Sequence, residues 1–341
     1  MRAILTALLA FAAGVLLMLA LPRTPDRTTP LPAPAPSATA SASSTLPGDG
    51  NPVPGGDNQN ADWPEQAPSP EQVLYDQPQQ VRRALAALTP RVPGRPNLYL
   101  LAFAGDGSED VFRNEAEYAA QLFTRRFGPS AHALVLENNP DTLAKRPLAS
   151  WSNLESALDG LAKAMKPEED ILLLYLTTHG SEDHYLLVDM DPLPLDQIGT
   201  DDLAGILGQR PFKWKVVVVN ACYSGGFVPA LRSPGTLVLT AARSDRSSFG
   251  CGNDSDATYF GRAWLVDALN RTGDFIDAYR QASGEITQWE RKDHLLPSEP
   301  QIDVGAGIAD RLAAWRRNLT PGPALPFQPP RPQRTAAAAS K

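Results

Sequence analysis

Five short apolar runs, separated by stretches of helical periodicity, set the narrowest limit on how this chain can fold. The runs are residues 98–104 (LYLLAFA), 133–137 (ALVLE), 171–178 (ILLLYLTT), 215–220 (KVVVVN) and 236–240 (TLVLT). Helix-period stretches lie near 113–127, 152–166, 201–209 and 258–291. A strand that is apolar at nearly every position, not at alternate ones, must be covered on both faces. Strands of that kind joined by helices predict an α/β fold, a mainly parallel sheet with helices on both faces. In such sheets the chemistry gathers beyond the carboxyl ends of the strands.

The rest of the chain divides by composition. Of its 33 prolines, 12 lie in residues 22–70 and 6 in residues 319–341. Both segments are too poor in apolar side chains to pack, so a disordered linker and a disordered tail are expected around one domain at 71–318. Residues 3–21 form an uncharged, mostly apolar run behind Met1 and Arg2. At 1.5 Å per residue the run spans about 28 Å, close to a bilayer core of roughly 30 Å. It reads as an N-terminal membrane anchor, with a cleaved signal peptide as the alternative. On either reading the bulk of the protein is exported, with the periplasm and the inner membrane as the expected location. A formal charge of −7 argues against a nucleic-acid partner. Two cysteines exclude a disulfide scaffold and a four-cysteine zinc site.

Two strand ends carry reactive side chains. The third run leads into His179-Gly180, and the fourth into Asn220-Ala221-Cys222-Tyr223-Ser224-Gly225-Gly226. On neighbouring parallel strands, His179 and Cys222 would emerge side by side. A thiol becomes a nucleophile when a nearby imidazole takes its proton. Gly180 permits a sharp turn, and Ser224-Gly225-Gly226 would free backbone N–H groups where an oxyanion needs them. Taken singly, a strand-end cysteine is a small buried hydrophobe and a His-Gly pair is a turn. Their joint occurrence points to a thiol–imidazole pair.

These blocks resemble those of the legumain-type cysteine peptidases, the asparaginyl endopeptidases and the catalytic subunit of the GPI-anchor transamidase. Further matches follow in order: Ala104-Gly105 with Arg113 eight residues on, Thr240-Ala241-Ala242 with Ser247-Ser248-Phe249, and Thr258-Tyr259-Phe260-Gly261. The resemblance spans roughly residues 97–305 and implies a caspase-like fold. It implies Cys222 as nucleophile, His179 as general base and acid, and the Gly180 and Cys222 N–H groups as oxyanion donors. Arg113, Asn220, Ser247, Ser248 and Arg262 then fall on the pocket for the residue before the scissile bond (P1). The substrate would be a peptide or protein, with no metal and no cofactor. A transpeptidase or ligase using the same residues, or a catalytically silent peptide-binding module, are the other readings. The oligomeric state is open.

Three positions depart from the family pattern. Val111 stands where legumains place the asparagine that orients the histidine. Asn220 replaces a glutamate, and Arg262 replaces an aspartate. With Arg113 kept and both carboxylates lost, the pocket should be cationic and favour P1 Asp over Asn through charge-assisted bonds. A Cys222–Cys251 disulfide would abolish the chemistry, and a free Cys251 near the pocket is the expectation. His184 with Glu182 and Asp183 reads as a polar surface turn. Asp183, Asp189, Asp191, Asp201 and Asp202 read as a solvated loop in preference to a calcium site. Ala104-Gly105-Asp106-Gly107 reads as a β-α turn, since it lacks the full dinucleotide fingerprint.

Overall fold

The computed structural model describes residues 63–252 and 255–329. The expected anchor at 3–21, and the expected linker up to residue 62, lie outside them. Among the described residues no helix is long and apolar enough to cross a membrane.

The chain begins with α1 (Pro70–Ala86), β1 (Leu98–Ala104), α2 (Asp110–Arg126), β2 (Ala131–Glu137), α3 (Trp151–Ala164) and β3 (Ile171–Thr177). A two-stranded hairpin, β4 (Tyr185–Leu186) and β5 (Ile198–Gly199), precedes α4 (Thr200–Gly208) and β6 (Trp214–Asn220). Then come α5 (Val228–Leu231), β7 (Thr236–Thr240), a π-helical turn (Gly261–Ala268), α6 (Phe275–Lys292), β8 (Gln301–Val304) and α7 (Ile308–Arg316). The main sheet runs β2-β1-β3-β6-β7-β8. Its first five strands are parallel, and β8 closes the edge antiparallel to β7.

The unbroken apolar runs follow from the two covered faces. Along β1, Leu98, Leu100, Ala102 and Ala104 pack towards α2, α6 and α7. Tyr99, Leu101 and Phe103 pack on the other face with residues of α3 and α4. Val216 to Val219 of β6 are fully buried, where their branched side chains suit a pleated surface. Each such side chain contributes about 1.5–3 kcal/mol by leaving water.

The stretch expected as one helix over 258–291 is broken in two. Asp274 accepts bonds from the N–H groups of Ile276 and Asp277 at 3.0 and 3.2 Å, so its side chain starts α6 as a new helix. The tail expected to be disordered from residue 319 instead straps α2 as far as the description reaches. The Leu325 carbonyl accepts from the Tyr118 hydroxyl at 2.8 Å, and its N–H donates to Asn270 at 2.7 Å. Phe327 meets the Tyr118 ring edge-on at 5.1 Å. Three apolar residues, Leu319, Leu325 and Phe327, anchor a segment whose proline content hid them.

The sheet register places the site. Glu137, Ala104, Thr177 and Asn220 lie alongside one another as the last residues of β2, β1, β3 and β6. The chain therefore leaves four adjacent strands at one level.

Candidate active site

Two residues beyond that level stand Asn139, Asp106, His179 and Cys222, one from each strand in sheet order. His179 thus emerges between an aspartate and a cysteine. Its Nε2 lies 3.5 Å from Asp106 Oδ2 and 3.3 Å from Glu109 Oε2. The ring of Phe112 meets the imidazole edge-on at 5.1 Å. Asp106 is buried, and its Oδ1 accepts from the Ser108 N–H at 2.8 Å. Glu109 Oε2 also accepts from the Gly252 N–H at 2.9 Å. The ligand-type atoms of Asp106, Glu109 and His179 fall within 4.8 Å of one another, a spacing that a divalent cation could bridge.

The thiol sits in a built turn. Cys222 Sγ accepts from the Ser248 N–H at 3.3 Å and lies 3.6 Å from the Ser248 hydroxyl. Tyr223, next in the chain, has φ +55° and donates its N–H to the Arg246 carbonyl at 2.8 Å. A left-handed non-glycine residue costs of order 1–3 kcal/mol, and here it turns the chain abruptly behind the thiol. Gly180 lies so close to the Cys222 carbonyl that any Cβ would overlap it. Among the described residues, neither the Gly180 nor the Cys222 N–H has a hydrogen-bond acceptor. Both cysteines are free thiols. Burial, then the charges at Cys222 and Glu109, push the Cys251 thiol up to about 11, so it stays protonated near neutral pH.

Beneath the rim lies a buried carboxylate. Glu115 of α2 is fully covered. Its Oε2 accepts from Tyr175 at 2.8 Å, Thr177 at 2.6 Å and Asn220 at 2.8 Å. Its Oε1 accepts from the N–H and hydroxyl of Thr258 at 2.7 and 2.8 Å. Burial raises the pKa of this carboxyl, while the donors from Thr177, Thr258 and Tyr175 pull it back. One side chain thus ties α2 to the ends of β3 and β6 and to the start of the π-helical turn.

Comparison with known proteins follows the same two strand ends. The peptidase C13 family matches residues 153–310, which include both His179 and Cys222. That match supports a cysteine-type peptidase of the legumain family. Among solved structures, caspase-1 from Spodoptera frugiperda is similar at 14% identity and a TM-score of 0.44, over 63% of this chain and 88% of that chain. No curated protein matches.

The structure corrects the expected pocket in three places. Asn220 is buried, and its amide donates to Glu115 and to Thr258, so it faces the interior and not a substrate. Arg262 is half-exposed and pairs with Asp267 at 3.2 Å, its guanidinium 5.9 Å above the Phe327 ring. The i→i+5 pattern of the π-helical turn brings Arg262 and Asp267 together and aims the arginine at the C-terminal strap. Arg113 is buried beside two carboxylates, Asp110 Oδ1 at 3.1 Å and Asp141 Oδ2 at 3.3 Å, and it also donates to Asn139. The expected free cation is therefore neutralised. Ser248 lines the thiol, whereas Ser247 is exposed and next to it in the chain. Glu182 and Asp183 are exposed, as the expected surface turn requires, while His184 is half-buried with its ring against Gly226.

Asp106, Glu109 and Glu115 escaped the sequence reading. Asp106 could have been found, because it follows its strand by the same offset as His179 and Cys222. Glu115 carries no local signal, since its partners are 60 to 143 residues away.

Proposed function

We propose that this peptidase is an endopeptidase acting through Cys222 and His179. The observation that carries the reading is their equal offset on adjacent parallel strands, beside two backbone N–H groups with no acceptor among the described residues. His179 takes the thiol proton as Sγ attacks the peptide carbonyl, and the Gly180 and Cys222 N–H groups receive the oxyanion. The C–N bond then breaks, the amine leaves with the proton from His179, and a thioester remains. Water activated by the same imidazole hydrolyses it.

The bond cleaved follows Asn or Asp, with Arg113, Ser247 and Ser248 beside the P1 side chain. An arginine flanked by Asp110 and Asp141 offers both donors and acceptors, which suits an amide better than a carboxylate. This favours Asn, the reverse of what a cationic pocket would select. The apolar run at 3–21 supports a periplasmic enzyme tethered to the inner membrane.

Turnover of matched peptides with P1 Asn, Asp, Arg and Lys tests the reading, with Cys222→Ala as control. Cysteine-dependent cleavage after Asn, at least about tenfold faster than after Asp, is expected. An Asp preference would overturn the P1 assignment alone. No cysteine-dependent turnover would overturn the endopeptidase and leave a silent peptide-binding module. An added amine that captures the acyl group in preference to water would make it a transpeptidase.

A further inference from the structure

Among legumain-type blocks, the position that resembles the histidine-orienting asparagine is Val111, which is buried and has no polar atom. An imidazole that can rotate, or that carries its proton on the wrong nitrogen, is a poor base. Something else on the rim has to hold His179. We infer that Asp106, assisted by Glu109, is the positioning group for His179, making an Asp106–His179–Cys222 row from three adjacent strands. The inference rests on the Cys222/His179 reading above.

Three observations converge on it. The register puts Asp106, His179 and Cys222 at the same offset from Ala104, Thr177 and Asn220, so sheet geometry alone sets the aspartate on the side of the histidine away from the cysteine. Both carboxylates approach the same nitrogen, Nε2, at 3.5 and 3.3 Å. Such contacts are often long before substrate binds. Finally, the carboxylates are themselves held by backbone. The N–H of Ser108 fixes Asp106, and the N–H of Gly252 fixes Glu109. The Asp106 turn is further clamped to the loop between β4 and β5, where Gly107 donates to the Asp189 carbonyl at 2.9 Å and the Asp189 N–H donates to Gly105 at 2.8 Å.

The chemical consequence is specific. A carboxylate at Nε2 selects the tautomer with the proton on Nε2 and leaves Nδ1 as the basic atom. When Nδ1 takes the thiol proton, two negative charges already face the resulting imidazolium. The proton moves from Sγ to Nδ1 and later to the leaving amine.

The experiment uses the full chain with Asp106→Asn and Glu109→Gln, singly and together. These substitutions keep shape, and each places an N–H₂ where a carboxylate oxygen stood. The double variant should lose about 10²–10⁴-fold in kcat with KM changed less than about twofold, because the pair acts on the imidazole and not on substrate. Asp106→Asn should account for most of the loss. In parallel, the ¹⁵N spectrum of the histidine side chains under alkaline conditions, assigned by loss of the His179 signal in His179→Gln, reads the tautomer directly. Wild type should show His179 with its proton on Nε2, and the double variant should show that population diminished. An unchanged kcat in the double variant, while Cys222→Ala and His179→Gln abolish turnover, would overturn the positioning role and leave the dyad standing. A wild-type His179 protonated on Nδ1 would overturn it even if the double variant failed to fold. Loss of cysteine dependence in the wild type would instead fell the peptidase reading beneath it.

Discussion

Two buried glutamates in this domain solve the same problem in opposite ways. Glu115 and Glu137 are each almost wholly removed from water. Glu115 collects five donors from β3, β6 and the approach to the π-helical turn. Neither oxygen of Glu137, at the end of β2, has a hydrogen-bond partner among the described residues, and its nearest cation, Arg146, lies 3.9 Å away. Burial, and secondarily the charge of Glu117, push the Glu137 carboxyl up to about 7. A charge taken out of water has to be met by donors or given up. The first glutamate is met, and it joins the strands that lead to His179 and Cys222. The second contributes nothing to that junction and sheds its charge near neutral pH.

Removing the met carboxylate should have the largest effect. Glu115→Ala strands the hydroxyls of Tyr175, Thr177 and Thr258, the Asn220 amide and a backbone N–H. Each buried orphan costs about 1–3 kcal/mol, and partial relaxation brings the expected loss to about 3–5 kcal/mol. Turnover should fall with stability, since the ends of β3 and β6 lose their common tie. Denaturant unfolding of Glu115→Ala beside Glu137→Ala gives the comparison its sharpest form. If Glu137→Ala is the more damaging of the two at pH 8, the contrast between them is wrong.

The unmet carboxylate makes a signed prediction about pH. Its folded pKa of about 7 stands above the ordinary carboxyl value of 4.5, so the folded state binds the extra proton between those values. Stability from this group is fully present below about 4.5, is lost as pH rises through about 7, and is flat above. The gap between these two values corresponds to about 3 kcal/mol. Glu137→Gln has no proton to lose, so its unfolding free energy should gain on wild type between pH 5 and pH 8 by an amount of that order. Parallel curves for the two proteins over that range would show that Glu137 is charged in both states.

How much of this was legible in the sequence depends on the range of the interaction. The five strands were readable because a strand buried on both faces is apolar throughout, as Val216 to Val219 are. His179 and Cys222 were readable because each directly follows such a run. The hairpin β4–β5 was not, since two-residue strands carry no periodicity. The edge strand β8, with Gln301 and Asp303 half-exposed, lacks an apolar run to announce it. Glu115 and Asp106 matter only once the register brings Tyr175, Thr177 and Asn220, or His179, alongside them. Spacing taken from a resembling family located Arg262 correctly in the chain and misplaced it in space, because the local helix is wound as a π turn.

Arg262 supplies the small end of the scale, a charge that keeps both water and a partner. It is half-exposed, pairs with Asp267 and lies over Phe327. A solvent-exposed ion pair contributes about 0–1 kcal/mol, and a half-exposed cation over an aromatic ring about 0.5–1 kcal/mol. Arg262→Ala should therefore destabilise the protein by no more than about 1–2 kcal/mol, less at high salt, where the ion pair is screened. Its ratio of Asn to Asp cleavage should stay within about twofold of wild type, because the guanidinium faces the strap at Leu325–Phe327 and not the rim that carries Cys222. A large swing in that ratio, measured on the same matched peptides, would return Arg262 to the pocket. It would also mean that the strap moves when substrate binds.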